Sequence, residues 1–314
     1  MSNGVKGSER TAETRNGQPP LPAVSGDPVA GTSLWQDAWR RLRKNTMAVA
    51  SGGVILLLGL ACLVGPTLLF VAAGYDAQTQ DLAQGPQPPS WEHPFGTDFY
   101  GRDLLVRVLV GGRVSLSVGL LAALLAATIG TVYGAVSSYA GGLVDTAMMR
   151  VVDILYALPY MFLVIILVTI LGKTLLLLFL ALGAVGWLLT ARVVRGQVMS
   201  LKEQDFVLAA RSLGTPGHEI VFRHLIPNTL GPVIVTFTLT VPSMILQEAF
   251  LSFLGLGVQP PQPSLGSLIN DGANQMLVFW WTLVFPGGVM TVLLFALNFL
   301  GDGVRDALDP RMRT

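Results

Sequence analysis

Three histidines and one cysteine are the side chains here best suited to nucleophilic or metal chemistry, and their spacing builds no site. His93, His218 and His224 are scattered along the chain, without the clustered spacing of a metal centre. Neither HExxH nor GxSxG occurs, so the zinc-protease and nucleophile-elbow arrangements are missing. GxxxxGK[ST] is missing too, which leaves the chain without a P-loop for binding ATP itself. Cys62 stands alone, which excludes an intrachain disulfide and a CxxC site; in its apolar run it reads as a packed, inert thiol. No catalytic or metal-ligating residues are therefore expected, and no cofactor is expected on this chain.

The chemistry that remains is that of docking. Residues 200–228 form a charged, amphipathic stretch between two strongly apolar ones. Ser200 and Glu203 read as a capping box that starts a helix. Gly214 supplies a left-handed residue to stop it. Thr215–Pro216 restarts a helix, with Thr as N-cap and Pro at the first position. Pro227 discourages helix at Ile226. The expectation is two short helices at an angle, lying on a membrane surface.

The elements that hold this segment follow from composition. The 314 residues are 52% hydrophobic and 12% charged, with a mean hydropathy of +0.59, whereas soluble domains are about 25% charged. Net charge is +1, which offers no basis for nucleic-acid binding. Apolar runs cover 46–74, 114–136, 154–172, 174–191, 229–247 and 276–301. Each is near or above the roughly 18–20 residues of a membrane helix, so six spans are expected within a membrane domain over 46–304. Pro66, Pro159, Pro242 and Pro286 lie inside them as candidate kinks. With six spans both termini share one side. That side carries sixteen of the twenty Lys and Arg residues, and the other carries Arg102, Arg107, Arg113 and Lys173. The positive-inside rule then puts both termini and residues 200–228 in the cytoplasm.

Outside the spans, 1–33 reads as a disordered tail, with 305–314 as a cytoplasmic C-terminal tail. No short apolar run with a cleavage site occurs at the start, so no cleaved signal peptide is expected. Ser33 and Gln36 form another possible capping box. Residues 34–45 put Leu34, Trp35, Ala38, Trp39 and Leu42 opposite Arg40, Arg41, Arg43 and Lys44, the pattern of an interfacial helix on anionic lipid or of a basic flank orienting the first span. Two external loops are long, 75–113 and 256–275, the first with a short helix around 104–110. No internal repeat is evident. Gly130-xxx-Gly134 matches a helix-contact motif that ordinary close packing also explains. The spans as drawn contain no ionisable residue, and Asp145, Asp153, Glu248 and Asp302 fall near span ends, where loop, cap or helix-end roles are expected. An ion-coupled carrier or channel working alone therefore lacks its usual intramembrane charges. A soluble DNA-binding protein, which two short helices can mimic, conflicts with six spans and with the lack of a basic recognition face.

Residues 200–228 resemble the cytoplasmic coupling loop of permease subunits of bacterial ABC importers. The family pattern is Glu-Ala-Ala, three residues, Gly and a later apolar-Pro; here it is Leu208-Ala209-Ala210, Arg211-Ser212-Leu213, Gly214 and Leu225-Ile226-Pro227. Leu208 replaces the family's Glu. Further segments are similar to dipeptide/oligopeptide-type permeases of the "C" kind: His93-Pro-Phe95-Gly96-Thr-Asp98, Gly101-Arg102-Asp103, 249–257, 260–266, 285–287, 298–302 and 305–310. The resemblance implies an all-α integral membrane protein with the type I importer permease fold. It implies a non-catalytic subunit in the bacterial inner membrane, paired with a second homologous permease, two ATPase subunits holding ATP and Mg, and an extracytoplasmic binding protein. Ala209, Ala210 and Gly214 would then allow close approach to an ATPase groove, with Arg211, His218, Glu219 and Arg223 around it and Pro227 closing the motif. His93, Phe95, Gly96, Asp98, Gly101, Arg102 and Asp103 would form a docking or gating loop, or simply cap and turn that loop. The expected cargo is di- or oligopeptides; glutathione, nickel chelates and sugars travel through permeases of this type as well.

Overall fold

The computed structural model describes Leu34–Asp309. The expected tail over 1–33, the Ser33 capping box and residues 310–314 lie outside the described residues. Within them the chain is helical; the only extended pairing is a single antiparallel bridge between Thr97 and Asp103. Eleven helices are used here: α1 (Leu34–Lys44), α2 (Thr46–Ala73), α3 (Leu104–Ala140), α4 (Gly142–Ala157), α5 (Tyr160–Leu171), α6 (Leu175–Leu201), α7 (Asp205–Ser212), α8 (Gly217–Glu219), α9 (Ile226–Phe253), α10 (Leu265–Gln275) and α11 (Trp281–Leu308). A π-helical turn, Ile220–Leu225, joins α8 to α9.

Five helical stretches are long and apolar enough to cross a membrane, and α4 with α5 makes a sixth, bent by 89°. The break falls at Pro159, one of the expected kinks, and the crossing runs over 142–171 in place of the expected 154–172. Pro159 lacks an N–H and disfavours helix at Leu158, whose backbone is extended. The bent pair must nonetheless cross. α3 and α6 lie side by side and parallel: Gly130 faces Trp187 and Thr190, Gly134 faces Ala191 and Arg195, and Lys202 at the end of α6 donates to the Ser138 carbonyl (3.2 Å). Two parallel helices need a return crossing between them.

α3 forms the centre, packed against α2, α6, α9, α10 and α11. Its start corrects another boundary. The short helix expected at 104–110 is continuous with the second span, because Asp103 caps it, accepting from the Val106 N–H (2.9 Å), and nothing breaks the pattern before Gly141. The α3–α6 seam depends on small residues: a Cβ at Gly134 would run into the Ala191 carbonyl. Backbones that close leave no room for a side chain. Gly134→Leu is expected to lower the thermal midpoint of the detergent-solubilised protein, an overpacking cost of about 1–3 kcal/mol. Gly53→Leu on α2, where a Cβ meets nothing within 4 Å, should leave it unchanged in the same fluorescence melt. Cys62 is buried, as expected, against Gly112.

The last crossing also differs from its expected 276–301 range. α11 begins at Trp281 and runs to Leu308, so Arg305 is helical and not part of a tail. Both ends of the described chain meet: Arg41 reaches the Asp309 carbonyl (3.5 Å), and Gly303 packs on Ala48 and Leu42. α1 thus lays Ala38 and Leu42 on α11, leaving Trp39 exposed beneath Arg43.

Candidate functional site

Three regions carry side chains with something to contact: the 200–228 segment, the knot at the opposite end, and a cavity between them.

The 200–228 segment is built differently from expectation. α6 continues to Leu201, so Ser200 and Glu203 do not cap a helix; α7 starts after Gln204 without a side-chain cap bond. Gly214 does stop α7, at φ 77°, where its lack of a Cβ removes the strain. The next helix starts after Pro216, not Thr215. Pro227 does not end it. The π-helical turn, with the Ile226 N–H bonded to the Val221 carbonyl five residues back, precedes Pro227 and runs into α9. Widening the turn is one way a helix accommodates a residue without an N–H. The result is one short helix, α7, followed by a rod over 217–253, in place of two short helices.

Burial sorts the residues of this segment. Ala210 points inward and packs in a cluster with Val207, Ile220, Val221 and Leu225. Its small size lets α7 lie on the π-helical turn. Ala209, Arg211, Gly214, His218, Arg223 and Pro227 are exposed. Glu219 and Arg223 pair at 2.9 Å on the surface, and Arg211 lies over the Tyr139 ring. Leu213 (85% exposed), Leu208 and Phe222 are exposed apolar side chains that sequence reasoning did not assign to docking.

At the other end, the signature residues 93–103 are brought together. His93 Nδ1 lies 2.8 Å from Asp103 Oδ2, while the other oxygen of Asp103 caps α3. Asp98 accepts from the Tyr100 and Arg102 N–H groups and from Arg102 Nε (2.7 Å), and lies 3.3 Å from Arg107 Nε. Gly96 (φ 74°) and Gly101 (φ 71°) turn the chain against the Trp281 ring and the Asp81 carbonyl. Phe95 stacks on Phe285 at 4.2 Å, and Trp281 Nε1 donates to the Thr97 carbonyl (3.1 Å). These residues pin the loop to α3 and α11. Beside the knot a cavity of about 480 Å³ opens between Arg102, Arg107, the 255–262 loop and α10. Desolvation against its wall pushes the Asp271 carboxyl above its ordinary range, opposed by the attraction of Arg107 and Arg102.

Between the two ends lies a cavity of about 820 Å³ bounded by the α4–α5 break, α6 and α9. Tyr160, Thr236, Thr240, Ser243 and Gln247 give it uncharged polar groups on apolar walls, with Arg305 its only charged lining residue among those described. Gln247 Oε1 is buried and has no hydrogen-bond partner in the structure.

Two buried ionisable residues lie near the outer ends of the spanning helices, just beyond the expected spans over 114–136 and 229–247. Arg107 lies in α3 at 4% exposure, and Glu248 lies in α9, fully buried. Glu248 therefore has no loop or cap role. It turns away from the 820 Å³ cavity towards α3 and α10. Asp145 pairs with Arg195 (2.6 Å), and Asp153 with Arg192 (2.8 Å), between α4 and α6.

Comparison with known proteins places this architecture. The family described as "Binding-protein-dependent transport system inner membrane component" matches residues 118–314, and "N-terminal TM domain of oligopeptide transport permease C" matches residues 33–89. The chain is 49% identical over 285 residues to the oligopeptide transport system permease protein OppC of Haemophilus influenzae, covering 91% of each chain. It is 53% identical over 287 residues to OppC of Escherichia coli K12 (91% and 94%). It is 45% identical over 282 residues to the dipeptide transport system permease protein DppC of Bacillus subtilis (90% and 87%). Among solved structures, an inward-facing MetNI methionine ABC transporter chain superposes with a TM-score of 0.52, over 66% of this chain and 96% of that one; at 18% identity the likeness is one of fold. The helical architecture and these matches agree: the chain belongs to the family of binding-protein-dependent transport system inner membrane components, as a permease of the oligopeptide/dipeptide kind.

Proposed function

We propose that this chain is a non-catalytic permease subunit of an ATP-driven importer of di- and oligopeptides. It lines half of the translocation path, opposite a second homologous permease, in the bacterial inner membrane. Two ATPase subunits, which hold the ATP and Mg, engage the 200–228 segment, and an extracytoplasmic binding protein delivers cargo to the opposite face. The excess of Lys and Arg at the end carrying 200–228 supports a cytoplasmic location for that end and both termini.

The observation that carries the reading is the continuity of the coupling segment with a wall of the cavity. α7 rests on the π-helical turn through Val207 and Ala210, and that turn is the start of the rod over 217–253. Thr236, Thr240, Ser243 and Gln247 on the same rod line the 820 Å³ cavity. A push on α7 is thus applied to the helix that bounds the path. The cavity lining suits peptides of varied sequence, because hydroxyl and amide groups hydrogen-bond a peptide main chain whatever its side chains, and fixed charges that would reject one side-chain class are nearly absent.

Purification through a tag on this chain, with mass spectrometry of what accompanies it, tests the assembly. A second permease and ATPase subunits should come with it. Vesicles containing that complex should accumulate labelled tripeptide only with ATP inside the coupling-side compartment and the binding protein on the other. Uptake by the isolated chain without ATP would overturn the proposal.

A further inference from the structure

Among the described residues Glu248 is a fully buried carboxyl group with no ion-pair partner, and its hydrogen bonds lead to α10. Its Oε2 accepts from Ser115 Oγ of α3 (2.9 Å), and Ser115 Oγ accepts from the Leu265 N–H (3.1 Å). Its Oε1 accepts from Ser252 Oγ (2.7 Å). With that proton committed, the Ser252–Ser264 contact (3.3 Å) requires Ser264 to donate, and Ser264 Oγ accepts from the Ser267 N–H (3.1 Å). Two chains of donors therefore run from first-turn amides of α10 to the two oxygens of one carboxylate. Packing reinforces the joint: Gly266 lies on the Ala249 backbone, and Gly111 of α3 on Ser264.

We propose that Glu248 is a positioning residue that makes α10 move with α9, so that displacement at the coupling end is delivered to the outer mouth. This rests on the importer reading given above. From Ile226 to Glu248 is about 33 Å of helix at about 1.5 Å per residue, enough to reach from one membrane face to the other. α10 forms part of the wall of the outer 480 Å³ cavity through Leu268, Asp271 and Gln275. A buried carboxyl group cannot shed its hydrogen-bond partners without a desolvation penalty. Any shift of α9 therefore takes α10 along, and slip falls at seams without such a bond. Glu248 touches neither the peptide cavity nor the ATPase-facing segment; it acts through α10.

Glu248→Gln keeps shape and hydrogen-bonding capacity but puts a donor where one serine hydroxyl also donates, so one chain must break. Ser115→Ala removes the α3 chain alone. The test uses the whole complex in lipid nanodiscs, with Asn274→Cys on exposed α10 carrying a fluorescent maleimide. In the parent complex, maleimide reactivity at Asn274→Cys should differ between the nucleotide-free and vanadate-trapped states. In Glu248→Gln that difference should vanish, and binding-protein-stimulated ATPase should fall at least tenfold, while basal ATPase persists. Glu248→Asp, which retains the carboxyl group, should recover part of the stimulation. An unchanged nucleotide-dependent difference in folded Glu248→Gln would overturn the proposal; if that variant does not assemble, an unchanged difference in the Ser115→Ala, Ser264→Ala double variant, which cuts both chains, would do so. Absence of any difference in the parent complex would instead count against the importer reading.

Discussion

Replacing Leu213 with aspartate is expected to detach the ATPase subunits from the permease while leaving the membrane fold intact. Leu213 follows α7 directly and is 85% exposed, so its side chain contributes little to the packing of this chain. An exposed leucine at the tip of a segment otherwise held rigid by Val207, Ala210 and Ile220 is the kind of apolar anchor that a partner's pocket accepts. Aspartate there would carry an unpaired charge into that pocket. Loss of such an anchor costs about 2 kcal/mol or more, roughly a thirtyfold weaker association. Titration of labelled ATPase subunits against the permease pair in nanodiscs should read this loss directly. Transport should fall with it, and the thermal midpoint of the permease should not. Leu277→Asp, at a site 93% exposed between α10 and α11 on the opposite face, is the control and should bind ATPase subunits normally. Equal binding by Leu213→Asp and the parent protein would move the docking surface elsewhere, with Leu208 and Phe222 the next residues to test.

Local rules found what depends on local backbone. Gly214 stops α7 because a left-handed turn there needs no partner, and the apolar runs locate the crossings because length and hydropathy are properties of a single segment. The failures share a physical cause. Pro227 was read as a helix boundary, but a π-helical turn absorbs it, and the packing of Ile220, Val221 and Leu225 under α7 holds that turn in place. Ser200 and Glu203 had the letters of a capping box, yet α6 was long enough to run through them. Ala209 and Ala210 were indistinguishable by type; only the fold decides that one faces out and the other in. Glu248 and Arg107 were hidden for the same reason. A buried ionisable group in a helix is tolerated when hydrogen-bond partners come from elsewhere in the chain: Ser115 is 133 residues from Glu248, and Arg107 donates to the Ala77 carbonyl 30 residues away. The 93–103 signature was legible as a unit, since its turns and caps lie close in sequence, but its anchors, Trp281 and Phe285, were not.

Asp98→Asn should be the most damaging single change in the external knot. Among the described residues Asp98 is the one acidic side chain within ion-pair distance of both Arg102 and Arg107, and Arg107 is buried beneath it. Asparagine can still accept the Tyr100 and Arg102 N–H groups through its oxygen, so the turn itself survives. What it loses is the charge, and its amide hydrogens would then face two guanidinium groups. Leaving one member of a buried pair uncompensated costs about 3–5 kcal/mol. The loss should appear first as local opening of residues 75–103, detected as faster hydrogen exchange and protease nicking there, with a lower thermal midpoint. Arg107→Met in the Asp98→Asn background removes the stranded charge and keeps much of its volume, and should restore most of the stability. The double-mutant cycle then measures the pair itself. Strong coupling means that Asp98 neutralises Arg107 and holds the loop to the start of α3. Additive losses would mean that Asp271, across the outer cavity, already balances Arg107, and that Asp98 serves Arg102 and the turn alone.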